Sequence, residues 1–261
     1  MTSSDALVRV ATARGVTTLT LNSPHNRNAL STPLMTQLLA GLADAVADDA
    51  VRVVVLDHTG PVFCSGADLK ETAAAYASGT VPAGMLGDVL AAVWECPKPV
   101  VARVAGPARA GGLGVIAAAD LALCAQEATF AFTEVRIGVI PAVISATVLP
   151  RLAPRAAAEL YLTGDTFDGR RAAEIGLVTA AVPADGLDAA VRRVCASLVR
   201  GAPNALAGAK GLLRRPQASD LRAEIAELAE LSTGYFLSAE GREGVLAFRE
   251  KRDASWVPPT S

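Results

Sequence analysis

Twice in this chain an apolar, strand-like run ends in a turn of small residues and then passes into a helical pattern. The first turn is Phe63-Cys64-Ser65-Gly66-Ala67-Asp68-Leu69-Lys70, and the second is Gly106-Pro107-Ala108-Arg109-Ala110-Gly111-Gly112-Leu113-Gly114. Small residues let two backbones approach closely, and glycine reaches conformations that other residues avoid. A fold that sets the two turns face to face can aim two backbone N–H groups at one oxygen, which is what a developing oxyanion needs.

The flanking segments support this reading. Leu7 to Ala11 and Val16 to Leu21 alternate around Arg14-Gly15, which predicts a β-hairpin. Ser31-Thr32-Pro33 predicts a helix start, with Leu34, Leu38, Leu42 and Val46 on its inner face. Val51 to Leu56 reads as a strand buried on both faces. Lys98 to Val104, Leu121 to Ala125, Phe130 to Phe132 and Leu177 to Val182 read as further strands. Gly111 to Ala119 and Ala142 to Leu152 read as helices. This rhythm predicts an α/β fold of stacked ββα units over residues 1–184. From Asp185 the patterns turn helical: Leu187 to Val199, Ala205 to Leu213, Asp220 to Phe236 and Ala239 to Lys251. Residues 185–261 are therefore expected to form a C-terminal helical subdomain for packing and subunit association.

Composition narrows the function. Hydrophobic residues make up 51% and charged residues 19%, which suits a packed globule rather than a disordered chain. The net charge is −2 and no basic block stands out, so nucleic acid is not an expected partner. No apolar run is long enough to span a bilayer, and no basic segment precedes an apolar one at the N-terminus. A cytoplasmic location and no membrane partner are the expectations. Cys64, Cys96, Cys124 and Cys195 are far apart and read as reduced, mostly buried thiols. With only His25 and His58, neither at ligand spacing from a cysteine, no metal site is expected. The second turn lacks G-x-G-x-x-G spacing, which argues against a dinucleotide fold.

Asn28-Ala29-Leu30, the Phe63–Lys70 turn, Pro97-Lys98-Pro99-Val100-Val101-Ala102, the Gly106–Gly114 turn and Phe248-Arg249-Glu250-Lys251-Arg252 occur in a telling order. That order resembles the crotonase superfamily, the enoyl-CoA hydratase/isomerase family, over about Leu7 to Trp256. The resemblance implies a crotonase-like spiral and an acyl-CoA thioester as substrate, with coenzyme A part of that substrate and no prosthetic group. It implies an oxyanion hole from the backbone N–H groups of Ala67 and Gly111. It also implies coenzyme contacts at Cys64, Ser65, Ala67 and Lys70, and from Phe248 and Lys251 onto a neighbouring subunit's ligand. The expected assembly is a homotrimer or a dimer of trimers. Arg27, just before Asn28, is a candidate donor to the coenzyme phosphates.

The acid/base group departs from the family pattern. Two-carboxylate hydratases of this family carry one Glu three residues after the oxyanion glycine and a second twenty residues later. Here the first position is Gly114 and the second is Glu134. Glu134 is therefore the candidate acid/base. The ordinary alternative is a surface carboxylate paired with Arg136 or Arg109. One carboxylate suits the carbon-to-carbon proton transfer of a Δ3,Δ2-enoyl-CoA isomerase. The run Glu134 to Ser145, however, is similar to bacterial hydratase-type members, including those acting on branched acyl groups. A hydratase-type enzyme is the leading expectation, with the isomerase, or a catalytically weak acyl-CoA-binding relative, as alternatives. Glu71 and His58 are lesser candidates for the missing group, and Asp68 and Asp120 read as structural. The 70–88 stretch reads as a flap over an acyl pocket.

Overall fold

The computed structural model describes residues 6–68, 70–73, 83–216 and 219–259. Strands β1 (Val8–Ala13) and β2 (Val16–Leu21) form the expected hairpin. Arg14 and Gly15 at its tip both take positive φ, 49° and 74°, as a tight turn matched to strand twist requires. Thr17, Leu19 and Leu21 point inward from β2. Strands β3 (Val53–His58) and β4 (Val100–Val104) then add in parallel, as do β6 (Leu121–Ala125) and β9 (Ala180–Val182), while β5 (Ala108–Arg109) pairs in parallel with β7 (Thr129–Ala131) and β8 (Phe167–Asp168) runs antiparallel to β7. The main sheet runs β1-β2-β3-β4-β6-β9. A second, small sheet runs β5-β7-β8. Val53, Val54, Val100, Val101 and Ala102 are fully buried, so β3 and β4 are covered on both faces.

Helices cover the main sheet. Helix α1 (Thr32–Ala47) starts at Ser31, whose Oγ accepts from Leu34 N at 3.4 Å, with Pro33 in the first turn. Leu34, Leu38 and Leu42 are buried as expected, but Val46 is 36% exposed and Ala45 takes the inner place. Helix α2 (Ala83–Glu95) packs between α1 and α3 (Gly111–Ala118). Every residue of α3 is buried. Part of the expected flap, 74–82, lies outside the described residues. Residues 83–88 form the first turns of α2.

The helix expected over Ala142 to Leu152 ends early: α4 covers Ala142–Val148. Pro150 brings no N–H and cannot extend the ladder. A further helix, α5 (Pro154–Thr163), was not anticipated from the sequence. It opens on Pro154 at its first position and closes on Gly164 at φ 65°. Helix α6 (Gly169–Glu174) follows β8.

Four helices complete the chain: α7 (Leu187–Leu198), α8 (Pro203–Leu213), α9 (Leu221–Leu237) and α10 (Ala239–Glu250). Helix α7 lies on β4 and β6 and buries Leu187, Ala190, Val191 and Cys195. A buried ion pair ties α8 to the core. Lys210 Nζ stands 2.6 Å from Asp120 Oδ2 and donates to Cys96 O at 2.6 Å and Lys98 O at 2.9 Å. Asp120 Oδ2 also accepts from Val100 N at 2.7 Å, confirming it as a structural anchor. All four cysteines are free and buried.

Candidate active site

The two glycine turns are stitched together by backbone bonds. Phe63 N and Cys64 N donate to Pro107 O at 2.9 and 3.4 Å, and Arg109 N donates to Cys64 O at 2.9 Å. Gly66 sits at φ 92°, a conformation that only glycine adopts without strain. A Cβ on Gly66 would lie 3.1 Å from Ala110 Cβ and 3.7 Å from Gly111 N. The first turn therefore passes directly beside the amide that opens α3.

The neighbouring amides have unspent hydrogen-bonding capacity. Leu30 pairs with Ala67 as a parallel bridge, through Leu30 N to Gly66 O at 2.8 Å. In such a bridge the N–H of the central residue, here Ala67, faces away from the partner strand. Gly111 is the first residue of α3, where N–H groups have no partner within the helix. Among the described residues neither Ala67 N nor Gly111 N donates to a protein acceptor. Ala110, within the second turn, takes φ 48° and ψ −119°, an uncommon conformation for alanine. Two free amides in adjacent turns, one at a helix N-terminus, can share a negatively charged oxygen.

Ala110 N donates to Ala131 O at 3.3 Å, and β5 pairs with β7. These links carry the chain from the second turn to Glu134, which opens a 3-10 turn over Glu134–Ile137. Gly138, at φ 77°, ends that turn. Glu134 is 9% exposed, and its Oε2 makes no hydrogen bond among the described residues. Burial is the main cause that pushes its carboxyl above the usual value. The surface-pair alternative fails because both arginines are committed elsewhere. Arg136 binds Asp165 at 2.5 Å and Thr163 O at 3.1 Å. Arg109 donates to Ala108 O and Thr129 O, at 2.8 and 2.6 Å.

Position 114 is closed to a side chain. A Cβ there would meet Ile144 Cγ2 at 2.6 Å, Ile144 Cβ at 2.9 Å and Leu90 Cδ2 at 3.3 Å. A Cβ on Gly111 would meet Leu30 Cδ1 at 2.9 Å and Leu86 Cδ2 at 3.4 Å. Leu86 and Leu90, one turn apart on α2, thus form an apolar wall with Ile144 along α3. The sequence reading did not single out this wall, although its i, i+4 leucine spacing is visible.

The lesser acid/base candidates have structural work. Glu71 Oε2 accepts from Thr32 N and Thr32 Oγ1, both at 2.8 Å, and so caps α1. His58 Nε2 accepts from Ala105 N at 3.2 Å, and its ring meets Phe63 edge-on. Asp68 Oδ1 accepts from Lys70 N at 2.9 Å and Glu71 N at 3.3 Å, as a helix cap does. Asn28 is fully buried. Its amide donates to Thr59 O and Val62 O and accepts from Ser23 N, holding the Leu30 segment against the first turn.

The expected coenzyme residues divide by position. Arg27 takes a left-handed φ of 59° and its carbonyl accepts from Ser65 N at 3.1 Å, so both flank the first turn. Ser65 is half-buried and Lys70 is exposed. The Cys64 side chain is wholly buried, and burial pushes its thiol up to about 12. Phe248 is 86% exposed on α10, and Lys251 follows at φ 55°. No hydrogen bond among the described residues ties either one to the Ala67–Gly111 pair. Also among the described residues, no three His, Cys, Asp or Glu side chains gather as metal ligands would.

Comparison with known proteins identifies the scaffold that carries this arrangement. The enoyl-CoA hydratase/isomerase family model matches residues 11–258. The 2,3-dehydroadipyl-CoA hydratase of Escherichia coli is 30% identical, over 93% of this chain and 95% of its own. Among solved structures, AtuE of Pseudomonas aeruginosa is 35% identical with a TM-score of 0.90, covering 97% of this chain and all of that one. An enoyl-CoA hydratase from Mycobacterium avium is 48% identical with a TM-score of 0.74, covering 97% and 99%. The glycine turns, the free amides and the buried glutamate thus sit on a shared scaffold, and the chain belongs to the enoyl-CoA hydratase/isomerase family.

Proposed function

We propose that this protein is an enoyl-CoA hydratase-type enzyme that works through a thioester enolate. The observation that carries the reading is Glu134: a buried carboxyl with an unpartnered oxygen, linked through β7 to two free amides. The thioester oxygen accepts from Ala67 N–H and Gly111 N–H, and negative charge gathers there as water adds to Cβ. One such donor is worth about 3–4 kcal/mol in a transition state. Glu134 takes a proton from the water and returns it to Cα. Its raised proton affinity suits a group that must both accept and donate near neutral pH. The bent coenzyme A runs along the first turn past Ser65 and Ala67, with Arg27 and Lys70 toward its phosphates.

A single-carboxylate isomerase is the second reading, and Gly114 with Ile144 against it is the observation that favours it. Glu134 would then move a proton between Cα and Cγ while the same two amides hold the enolate. We also propose a homotrimer or a dimer of trimers, in which Phe248 and Lys251 reach a neighbour's coenzyme. Leu221, Phe236, Leu237 and Phe248 are each at least 66% exposed, which supports burial against another copy. Sedimentation at the mass of one chain contradicts the assembly.

The reaction is tested by offering a 2-enoyl-CoA and a 3-enoyl-CoA and following the conjugated thioester absorbance. Loss with the first identifies the hydratase, and gain with the second identifies the isomerase. No change with either, alongside retained acyl-CoA binding, leaves only a binding scaffold.

A further inference from the structure

Helix α5 packs an aromatic residue against the segment that leads into Glu134. The Tyr161 ring packs against Phe132 at 4.7 Å between centroids, tilted by 47°, and Phe132 precedes Glu134 by two residues. The Glu134 turn is fastened to the end of α5 by Arg136 Nε donating to Thr163 O at 3.1 Å. Ser145, one residue past the Ile144 that blocks position 114, has its Oγ 2.6 Å from Pro141 O and 3.4 Å from Tyr161 Oη. The phenol is thus tied through Ser145 to the helix that carries Ile144.

Hydrogen-bond accounting leaves two oxygens unspent. A phenol has one donor and two acceptor positions, and Ser145 engages only one of the three. Among the described residues Tyr161 Oη has no other partner. Glu134 Oε2 has none, although the residue is more than nine-tenths buried. Buried polar atoms rarely stay unpaired, so the Glu134 oxygen implies a ligand group, and the half-buried Tyr161 phenol keeps an acceptor position open toward it. The charge of Glu134 also opposes ionisation of Tyr161, after burial as the main cause, so the phenol stays neutral beside it.

We propose that Tyr161 is a further catalytic residue that, with Glu134, holds the water to be added. The inference rests on the hydratase reading above. The water donates one hydrogen bond to Glu134 and the other to Tyr161 Oη, which leaves its lone pairs for Cβ. As the C–O bond forms at Cβ, the water O–H bond toward Glu134 breaks and that proton passes to the carboxylate. The carbon–carbon π pair moves toward the thioester oxygen. Glu134 then delivers the proton to Cα and the thioester is restored. Tyr161 neither gains nor loses a proton, so one water is added and the protein is unchanged. A carbon-to-carbon proton transfer has no need of Tyr161.

The full-length enzyme carrying Tyr161→Phe tests this with two readouts. The first is kcat for hydration of a 2-enoyl-CoA. The second is exchange of the Cα protons of a saturated acyl-CoA in deuterium oxide, which needs only Glu134 and the two amides. Hydration is expected to fall about 10- to 100-fold, the scale of one lost hydrogen bond, with KM and Cα exchange held within about twofold. Ser145→Ala is expected to fall less, since it removes only the support of the phenol. Unchanged hydration in Tyr161→Phe overturns the proposal. An equal fall in both readouts also overturns it, because a merely structural tyrosine would produce that. If the parent enzyme exchanges Cα protons but does not hydrate, the Tyr161 role is lost while Glu134 keeps its place. If Glu134→Gln exchanges at the parent rate, the reading of Glu134 itself is wrong.

Discussion

Ile144 occupies the space that a side chain on residue 114 would need: its Cγ2 stands 2.6 Å from where that Cβ would lie. Gly114 and Ile144 are therefore complementary across the two helices. An apolar group has closed the volume, and Thr147 Oγ1 donates to Gly114 O at 3.0 Å to fix the approach of α4 to α3.

Putting the carboxylate back alone should fail. Gly114→Glu forces overpacking against Ile144 and Leu90, which costs about 1–3 kcal/mol. The expected outcome is a lower unfolding midpoint and no gain in hydration. Gly114→Glu combined with Ile144→Gly relieves the collision and is expected to hydrate faster than Gly114→Glu. A single Gly114→Glu variant that is as stable as the parent would show that the facing helix yields easily.

Glu134→Gln separates catalysis from stability. Removing the proton carrier is expected to lower activity about 10²- to 10⁴-fold while acyl-CoA binding changes little. Stability should move the other way. Burial raises the Glu134 pKa in the folded protein, so folding holds this proton more tightly than the unfolded chain does. Its contribution is greatest below the unfolded value of about 4.3 and declines as pH rises through the higher folded value. The glutamine variant should therefore be the more stable protein near pH 8, with the difference shrinking toward pH 4. Denaturant midpoints measured across that range check the sign, and a glutamine variant that is less stable at pH 8 refutes it.

Much of this site was legible because its signals are local. The glycine turns announce close backbone approach, and Ser31-Thr32-Pro33 announces α1, with properties carried by the residues themselves. Glu134 stands out only through the carboxylate spacing that the family resemblance implies, and its isolation from Arg136 and Arg109 is not legible in the sequence. That depends on Asp165, Thr163 and Thr129, which lie distant in sequence and supply the arginines with other partners. Tyr161 was passed over with α5. Its helix is short and half-exposed, so hydrophobic spacing is weak, although Pro154 and Gly164 bracket it. Ile144 against Gly114 joins residues thirty apart through helix packing, which no window of the sequence displays.

Gly66 should tolerate no side chain. Its φ of 92° strains any L residue, and an added Cβ would sit 3.1 Å from Ala110 Cβ and 3.3 Å from Arg109 O. Gly66→Ala is expected to cost at least about 1 kcal/mol in stability and to shift the Ala67 amide relative to Gly111. Activity should then fall more steeply than the lost stability accounts for. Assays well below the new melting temperature, where the variant is folded, distinguish the two effects. Parent-like kcat there would mean that the relation between the turns does not matter.

The ion pair behind α3 offers a control away from the carboxyl site. Lys210 is 7% exposed, and burial lowers its pKa, opposed by the charge of Asp120. Such a lysine is tolerated because Asp120 and the carbonyls of Cys96 and Lys98 satisfy it. Asp120→Ala leaves that charge uncompensated and also strips Val100 N of its acceptor, an expected loss of about 3–5 kcal/mol. Asp120→Ala with Lys210→Met removes both charges of the buried pair and should recover part of the loss, with the more exposed Arg214, 3.4 Å from Asp120 Oδ1, left to solvent. The kcat of folded double variant should stay near the parent value, since neither residue touches Glu134, Ala67 or Gly111. If the double variant is no more stable than Asp120→Ala alone, the cost lies in the lost Val100 bond rather than in the stranded lysine.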